Sequence, residues 1–164
     1  MQILNHRQIQ QKINRLAIEI AEHNCKEEEI ILAGINNNGI VFAELLMKRL
    51  LEMTDIDIIV TRIKLNPANP MQEEIYIEMP EAQLKNKVVI LIDDVANTGR
   101  TLFYACRPIL DTLPKKLEVA VLVDRKHKSF PIRVDYVGLS LATTLKENID
   151  VKIKNVESFA VFLN

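Results

Sequence analysis

The sequence predicts an α/β fold: a doubly wound, mainly parallel sheet with helices on both faces. Strand-like apolar runs and helix-spaced apolar positions alternate along the 164 residues, which is the pattern of successive strand–helix units. The run Val88-Val89-Ile90-Leu91-Ile92 is aliphatic without a break, as suits a strand covered on both faces. Asp93 and Asp94 follow it directly, then the small, hydroxyl-bearing turn Ala96-Asn97-Thr98-Gly99-Arg100-Thr101. Open α/β sheets bind their ligands at such carboxyl ends of strands.

Ile9, Ile13, Leu16, Ala17 and Ile20 recur at helical spacing, so residues 6 to 24 form an amphipathic helix. Ile30 to Ile35 is a short apolar strand that runs into a loop at Gly34 to Gly39, and Val41 to Leu51 returns to helical spacing. Ile56 to Leu65 reads as a strand. Asn66-Pro67-Ala68-Asn69-Pro70 is loop, because two prolines forbid regular structure there. Ile75 to Met79 reads as a return strand. Past the acid pair, Thr101 to Leu113 has helical pattern, with Pro108 expected to kink or shorten it. Leu117 to Val123 and Asp135 to Leu139 are further strands, and residues 150 to 154 and 159 to 163 close the chain.

This length fits one domain over residues 1–164 with a full core. Twenty-one basic residues against 22 acidic ones leave a net charge of −1, so no global field draws the chain to nucleic acid or anionic membrane. No apolar stretch is long enough to span a bilayer, and Met1 to Arg7 lacks the features of a signal peptide. Cys25 and Cys106 lie apart, with no CxxC or Cys/His cluster. They read as reduced packing residues of a cytoplasmic protein. The three histidines are too scattered for a metal site.

The chemistry concentrates at Asp93 to Thr101. Two carboxylates suit sugar hydroxyls or a metal, and the turn offers backbone N–H groups and hydroxyls to a phosphate. Together they predict a phosphorylated-sugar ligand. Gly34 and Gly39 have the separation of the two glycines in a Walker A loop, but Ile40 and Val41 replace its Lys-Ser/Thr, so a nucleoside-triphosphatase reading fails. Asn36, Asn37 and Asn38 tolerate left-handed backbone and can turn amides toward an anion, although an ordinary Asn-rich turn would look the same.

The stretch Val88 to Thr101 closely resembles the phosphoribosyl-diphosphate (PRPP) signature of the type I phosphoribosyltransferases: a hydrophobic strand, two acids and a Thr-Gly-Lys/Arg-Thr/Ser turn. Over most of the chain the resemblance is to the pyrimidine-operon regulator and uracil phosphoribosyltransferase branch. It includes the first helix, the Gly-Ile-x-x-x-Gly-Ile loop, Ala120 to Lys128 and Pro131 to Gly138. It implies a small hood on the sheet and transfer of a 5-phosphoribosyl group from PRPP to a pyrimidine such as uracil, with release of diphosphate. Asp93 and Asp94 would be the catalytic acids and would hold Mg²⁺ directly or through water. Ala96, Asn97, Thr98, Gly99, Arg100 and Thr101 would hold the 5-phosphate, and Asn36, Asn37, Asn38 and Gly39 the diphosphate. Asp124 and Arg125, with a hood from Val137 to Thr144, would flank the base. Residues 66 to 79 would form a cover over the site, and the protein would be a homodimer or higher homo-oligomer.

The chain also departs from that pattern. Asn36-Asn37-Asn38 stands where the branch has Lys-Thr-Arg, and Ile63-Lys64-Leu65 where a basic Tyr-Arg-Asp-Asp segment is expected. Two arginines expected on diphosphate are missing, with Lys64 the only nearby cation to compensate. Charge-assisted phosphate contacts outweigh neutral ones, so PRPP binding or diphosphate departure should weaken. Three further readings follow. The first is a PRPP- or nucleotide-sensing regulator without turnover. The second is an RNA-binding attenuation protein, disfavoured because Asn14, Ile18 and Leu139 replace the expected positions and His127, Lys128 and Arg133 make a thin basic set. A receiver-type Asp-Asp magnesium protein is the third, and its acids should fall near the first strand.

Overall fold

The computed structural model describes residues 1–144 and 146–164. Strand β1 (Gln2–Leu4) leads into helix α1 (His6–His23), whose start is closed by a reciprocal cap between Asn5 and Gln8. Its apolar stripe Ile9, Ile13, Leu16, Ala17 and Ile20 is fully buried, as the spacing requires. Then come β2 (Glu29–Ile35), α2 (Asn36–Met53), β3 (Asp57–Lys64), β4 (Tyr76–Ile77), a 3₁₀ turn at Glu81–Leu84 and β5 (Val88–Ala96). Helices α3 (Arg100–Ala105) and α4 (Arg107–Leu110) are separated just before Pro108, where the proline predicts the break. Strands β6 (Lys116–Arg125), β7 (Tyr136–Leu141), β8 (Ile149–Lys152) and β9 (Ala160–Leu163) complete the order.

Six strands form the main sheet in the order β4-β3-β2-β5-β6-β7, parallel except for β4. One core lies under α1 and α2 and includes Leu16, Phe42, Leu46, Leu32, Ile90 and Leu122. The other lies under the 3₁₀ turn, α3 and α4 and includes Leu84, Leu102, Ile109, Ile31, Val89 and Leu91. Alternate residues of the aliphatic run therefore face opposite helical layers, as a doubly wound sheet requires.

Three expectations change. Strand β1 is unforeseen, since three residues are too few to display a period. Residues 36 to 39 are not a loop: α2 starts at Asn36 itself, which takes φ 51°. The hood is not residues 137 to 144. Those residues begin in β7, the edge of the main sheet, whereas a separate sheet ordered β1-β9-β8 brings the two chain ends together. Its Leu4, Ile149, Val151 and Val161 join the core beneath α1 and α2.

Candidate active site at the carboxyl ends of β2 and β5

The chain leaves β2 toward β3 on one side and β5 toward β6 on the other, so the order reverses between β2 and β5. A crevice must open outside their carboxyl ends. There the start of α2 presses against β5. A Cβ on Gly39 would lie 2.6 Å from the Ile92 carbonyl oxygen, so only glycine allows this approach. Gly39 itself is buried and does not line the crevice. The approach lets Asn38 Nδ2 donate to Asp94 Oδ2 at 2.9 Å across 56 residues of sequence.

Asp93 and Asp94 still belong to β5, with Asp93 opposite Val121 in the ladder. The Asp94 N–H donates to Asp93 Oδ1, and the Val95 N–H to Asp94 Oδ1, both at 2.9 Å. Asp93 is only 8% exposed. Burial, and then the neighbouring Asp94 carboxylate, push its carboxyl well above the usual carboxylate range. Arg62 and Lys64 pair with Glu78 and Lys128 with Asp124, and no cation among the described residues pairs with Asp93 or Asp94. The acids border a cavity of about 410 Å³ together with Asn36, Asn37, Asn38, Asn97 and Thr101. No group of three or more His, Cys, Asp or Glu is assembled for a metal among the described residues. Magnesium is commonly held by one or two carboxylates plus substrate oxygens, so this donor set fits an ion shared with substrate.

Beside the acids, residues 95 to 102 wrap a small pocket of about 40 Å³. The turn N–H groups of Asn97, Thr98 and Gly99 meet no backbone acceptor among the described residues. Gly99 takes φ 86°, which ends the turn and starts α3. Ala96 is buried in the pocket wall and Thr101 lies on its rim. The Arg100 guanidinium is engaged with protein: it donates to the carbonyls of Pro67 (2.7 Å) and Ala68 (3.3 Å), tying the proline loop to the turn.

On the other flank Asn36 uses its side chain up on protein. It donates to the Leu65 carbonyl at 2.9 Å and accepts the Leu65 N–H at 3.1 Å, imitating one more rung beyond β3. Asn37 accepts from Arg62 Nη1 at 3.2 Å. No motif in the sequence singles out Arg62, although the alternation Thr61-Arg62-Ile63-Lys64 puts Arg62 and Lys64 on one strand face. Lys64 is thus not the only nearby cation. It lines a neighbouring cavity of about 430 Å³ that shares Asn36 and Asn37 with the first.

The remaining expected residues hold one another. Asp124, opposite Ala96 in the ladder, pairs with Lys128 at 2.6 Å. Arg125 donates to Asn97 Oδ1 (3.0 Å), Thr143 Oγ1 (2.7 Å) and the Thr144 carbonyl (2.8 Å), so it braces the turn against the segment after β7. The structure does not bring Val137 to the crevice. It sits near the start of β7 opposite Val121, and its carbonyl accepts from Arg15 at 2.9 Å.

A model of the phosphoribosyl transferase domain matches residues 1–155. Bifunctional protein PyrR of Pediococcus pentosaceus is 33% identical, over 99% of this chain and 97% of that protein. The PyrR protein of Haemophilus ducreyi is 36% identical over 94% of this chain and 90% of its own length. The chain belongs to the phosphoribosyltransferase family. Within it, this is a PyrR-like type I phosphoribosyltransferase. The solved hypoxanthine phosphoribosyltransferase of Trypanosoma cruzi superposes with a TM-score of 0.79 at 16% identity, covering 98% of this chain and 95% of its own. A hypoxanthine-guanine phosphoribosyltransferase from Bacillus anthracis gives 0.70 at 22% identity over 86% and 82%. At those identities the likeness establishes the shared fold. No helix among the described residues is long and apolar enough to cross a membrane.

Proposed function

We propose that this phosphoribosyltransferase moves a 5-phosphoribosyl group from PRPP to a ring nitrogen of a pyrimidine such as uracil, releasing diphosphate, in the cytoplasm. The observation that carries the reading is a cation-free acid pair, Asp93 buried and Asp94 half-exposed, beside a turn whose N–H groups meet no backbone acceptor among the described residues, both at the point where the strand order reverses. The turn holds the 5-phosphate and thereby fixes the sugar while its anomeric carbon moves. Positioning of this kind supplies a large share of a barrier reduction. The carbon–oxygen bond to diphosphate breaks with its electron pair on oxygen, the carbon–nitrogen bond forms, and the proton of the base nitrogen passes to the departing diphosphate. Asp93 and Asp94 orient the ribose hydroxyls, and their charge favours the cation developing on the ring. Magnesium held by these two acids and substrate oxygens would offset the charge on the leaving diphosphate. The first turn of α2 contributes backbone N–H groups to that diphosphate, with Arg62 and Lys64 as the nearby cations.

A PRPP-sensing regulator is the second reading. It is favoured by the neutral Asn36–Asn38 turn and by the engagement of Asn36 with Leu65. Diphosphate release should be followed with PRPP, Mg²⁺ and a panel of nucleobases. Uracil is expected to give turnover, and Asp94→Asn to lower it at least about a hundred-fold with the melting temperature kept. Tight PRPP binding without turnover on any base decides for the sensor. Normal turnover in the Asn variant removes the role assigned to Asp94.

A further inference from the structure

Arg62 and Lys64 stand beside the start of α2, and neither is free. Arg62 Nη2 and Nε donate to the two carboxylate oxygens of Glu78 at 2.9 and 3.2 Å, and Lys64 Nζ lies 3.7 Å from Glu78 Oε1. Pairing of β4 with β3 sets this arrangement. Ile77 and Tyr76 lie opposite Ile63 and Lys64, and the Glu78 N–H donates to the Arg62 carbonyl at 2.8 Å. The guanidinium is therefore split between Glu78 and Asn37 Oδ1, the latter in the first turn of α2. The pair moves both titrations in the sense of mutual stabilisation: Glu78 lies below the usual carboxylate range, with Arg62 its first cause, and Arg62 is raised by Glu78.

We propose that Glu78 is a built-in competitor for the leaving group: it occupies Arg62 and Lys64, and diphosphate must displace its carboxylate to engage them. This rests on the functional reading above and adds a positioning residue to it. Glu78 lines neither cavity beside the asparagines, so it acts through the two cations rather than on substrate. A bound diphosphate and Glu78 are alternative anions for one guanidinium. Holding the cation on a surface carboxylate limits product affinity and favours release. With a neutral turn in place of a basic one, this competition sets how much cationic charge diphosphate meets.

The test is calorimetric titration of the full-length protein with inorganic diphosphate in the presence of Mg²⁺. Glu78→Gln is expected to bind diphosphate about two- to five-fold more tightly than the native protein, the scale of an exposed ion pair. Glu78→Asp should stay near native, and Arg62→Gln should bind about ten-fold more weakly. In the Arg62→Gln background the gain from Glu78→Gln should shrink, which a merely structural role for Glu78 would not produce. Unchanged or weaker binding by Glu78→Gln, or an undiminished gain without Arg62, overturns the inference. PRPP is titrated in parallel. Native protein that binds PRPP, with no gain in Glu78→Gln, sinks the role of Glu78 alone. Native protein that fails to bind PRPP sinks the functional reading, and the diphosphate titrations still decide the role of Glu78.

Discussion

Asp93 and Asp94 were legible residue by residue, because two acids after an aliphatic run have few structural uses. The run alone did not reveal that they are unequal: Asp93 is buried in the ladder, while Asp94 is braced by Asn38. Folded Asp93 keeps its proton to higher pH than the unfolded chain does, since burial and Asp94 raise its titration. Between the usual carboxylate range and that raised value the native state binds more protons. Stability therefore falls as pH rises through the window and stays lowered above it. Asp93→Asn removes the charge and keeps an acceptor for the Asp94 N–H. Its melting temperature should exceed native by roughly 3 °C near neutral pH, on the order of 1 kcal/mol, with the difference vanishing below about pH 4. Calorimetry from acid to neutral pH checks this, and a pH-independent difference contradicts it. Arg62 was the residue hardest to read. Its strand face follows from alternation, but its partners Asn37 and Glu78 lie 25 and 16 residues away.

At the scale of elements, the turns carried the most information and also the main surprise. Gly99 takes left-handed backbone at φ 86°, and its surroundings add a second constraint. A Cβ there would come 2.4 Å from Ile132 Cγ2 and 3.3 Å from Lys128 Cδ, because residues 129 and 130 donate to the Thr98 carbonyl and draw that segment over the turn. Gly99→Ala should cost about 1–2 kcal/mol of stability and weaken PRPP binding about ten-fold. A denaturant melt and a PRPP titration measure the two effects, and native affinity would show that the turn does not hold the phosphate. Residues 36 to 38 looked like a loop because asparagines favour turns. Asn36 instead begins α2 directly at φ 51°, its amide fastened to Leu65 beyond the end of β3. That partner is 29 residues away, so local composition carried no trace of it.

For the whole molecule, layers and strand directions followed from the alternation of periods, and the hood did not. Strand β1 pairs with β9 from the opposite end of the chain, and the Met1 amino group donates to the Leu163 carbonyl across 162 residues. The hood's fully buried Val161 shares a core with Leu4, Ile13 and Ile149, so the two sheets should unfold as one unit. Val161→Ala should lower the stability of that unit by about 2 kcal/mol through lost burial and a partial cavity. A calorimetric scan is expected to keep a single transition with matching van't Hoff and calorimetric enthalpies. An early, separate transition would show that the hood melts alone.

The sequence by itself determined the layers, the break before Pro108, the acid pair and the glycine turn after it, because each is written in neighbouring residues through periodicity, proline geometry or glycine backbone freedom. Only the tertiary structure decided which residues meet. It seated α2 against β5 through Gly39 and gave Arg62 to Asn37 and Glu78. It tied the Arg100 side chain to the proline loop and placed Val137 near the start of β7 with Arg15. Such meetings depend on strand order and register between distant segments, for which no short window of sequence carries a signal. The acid pair and the glycine turn are local in sequence; the cluster of Asn36, Asn37, Arg62, Lys64 and Glu78 beside them is assembled from α2, β3 and the end of β4, and only the fold brings it together.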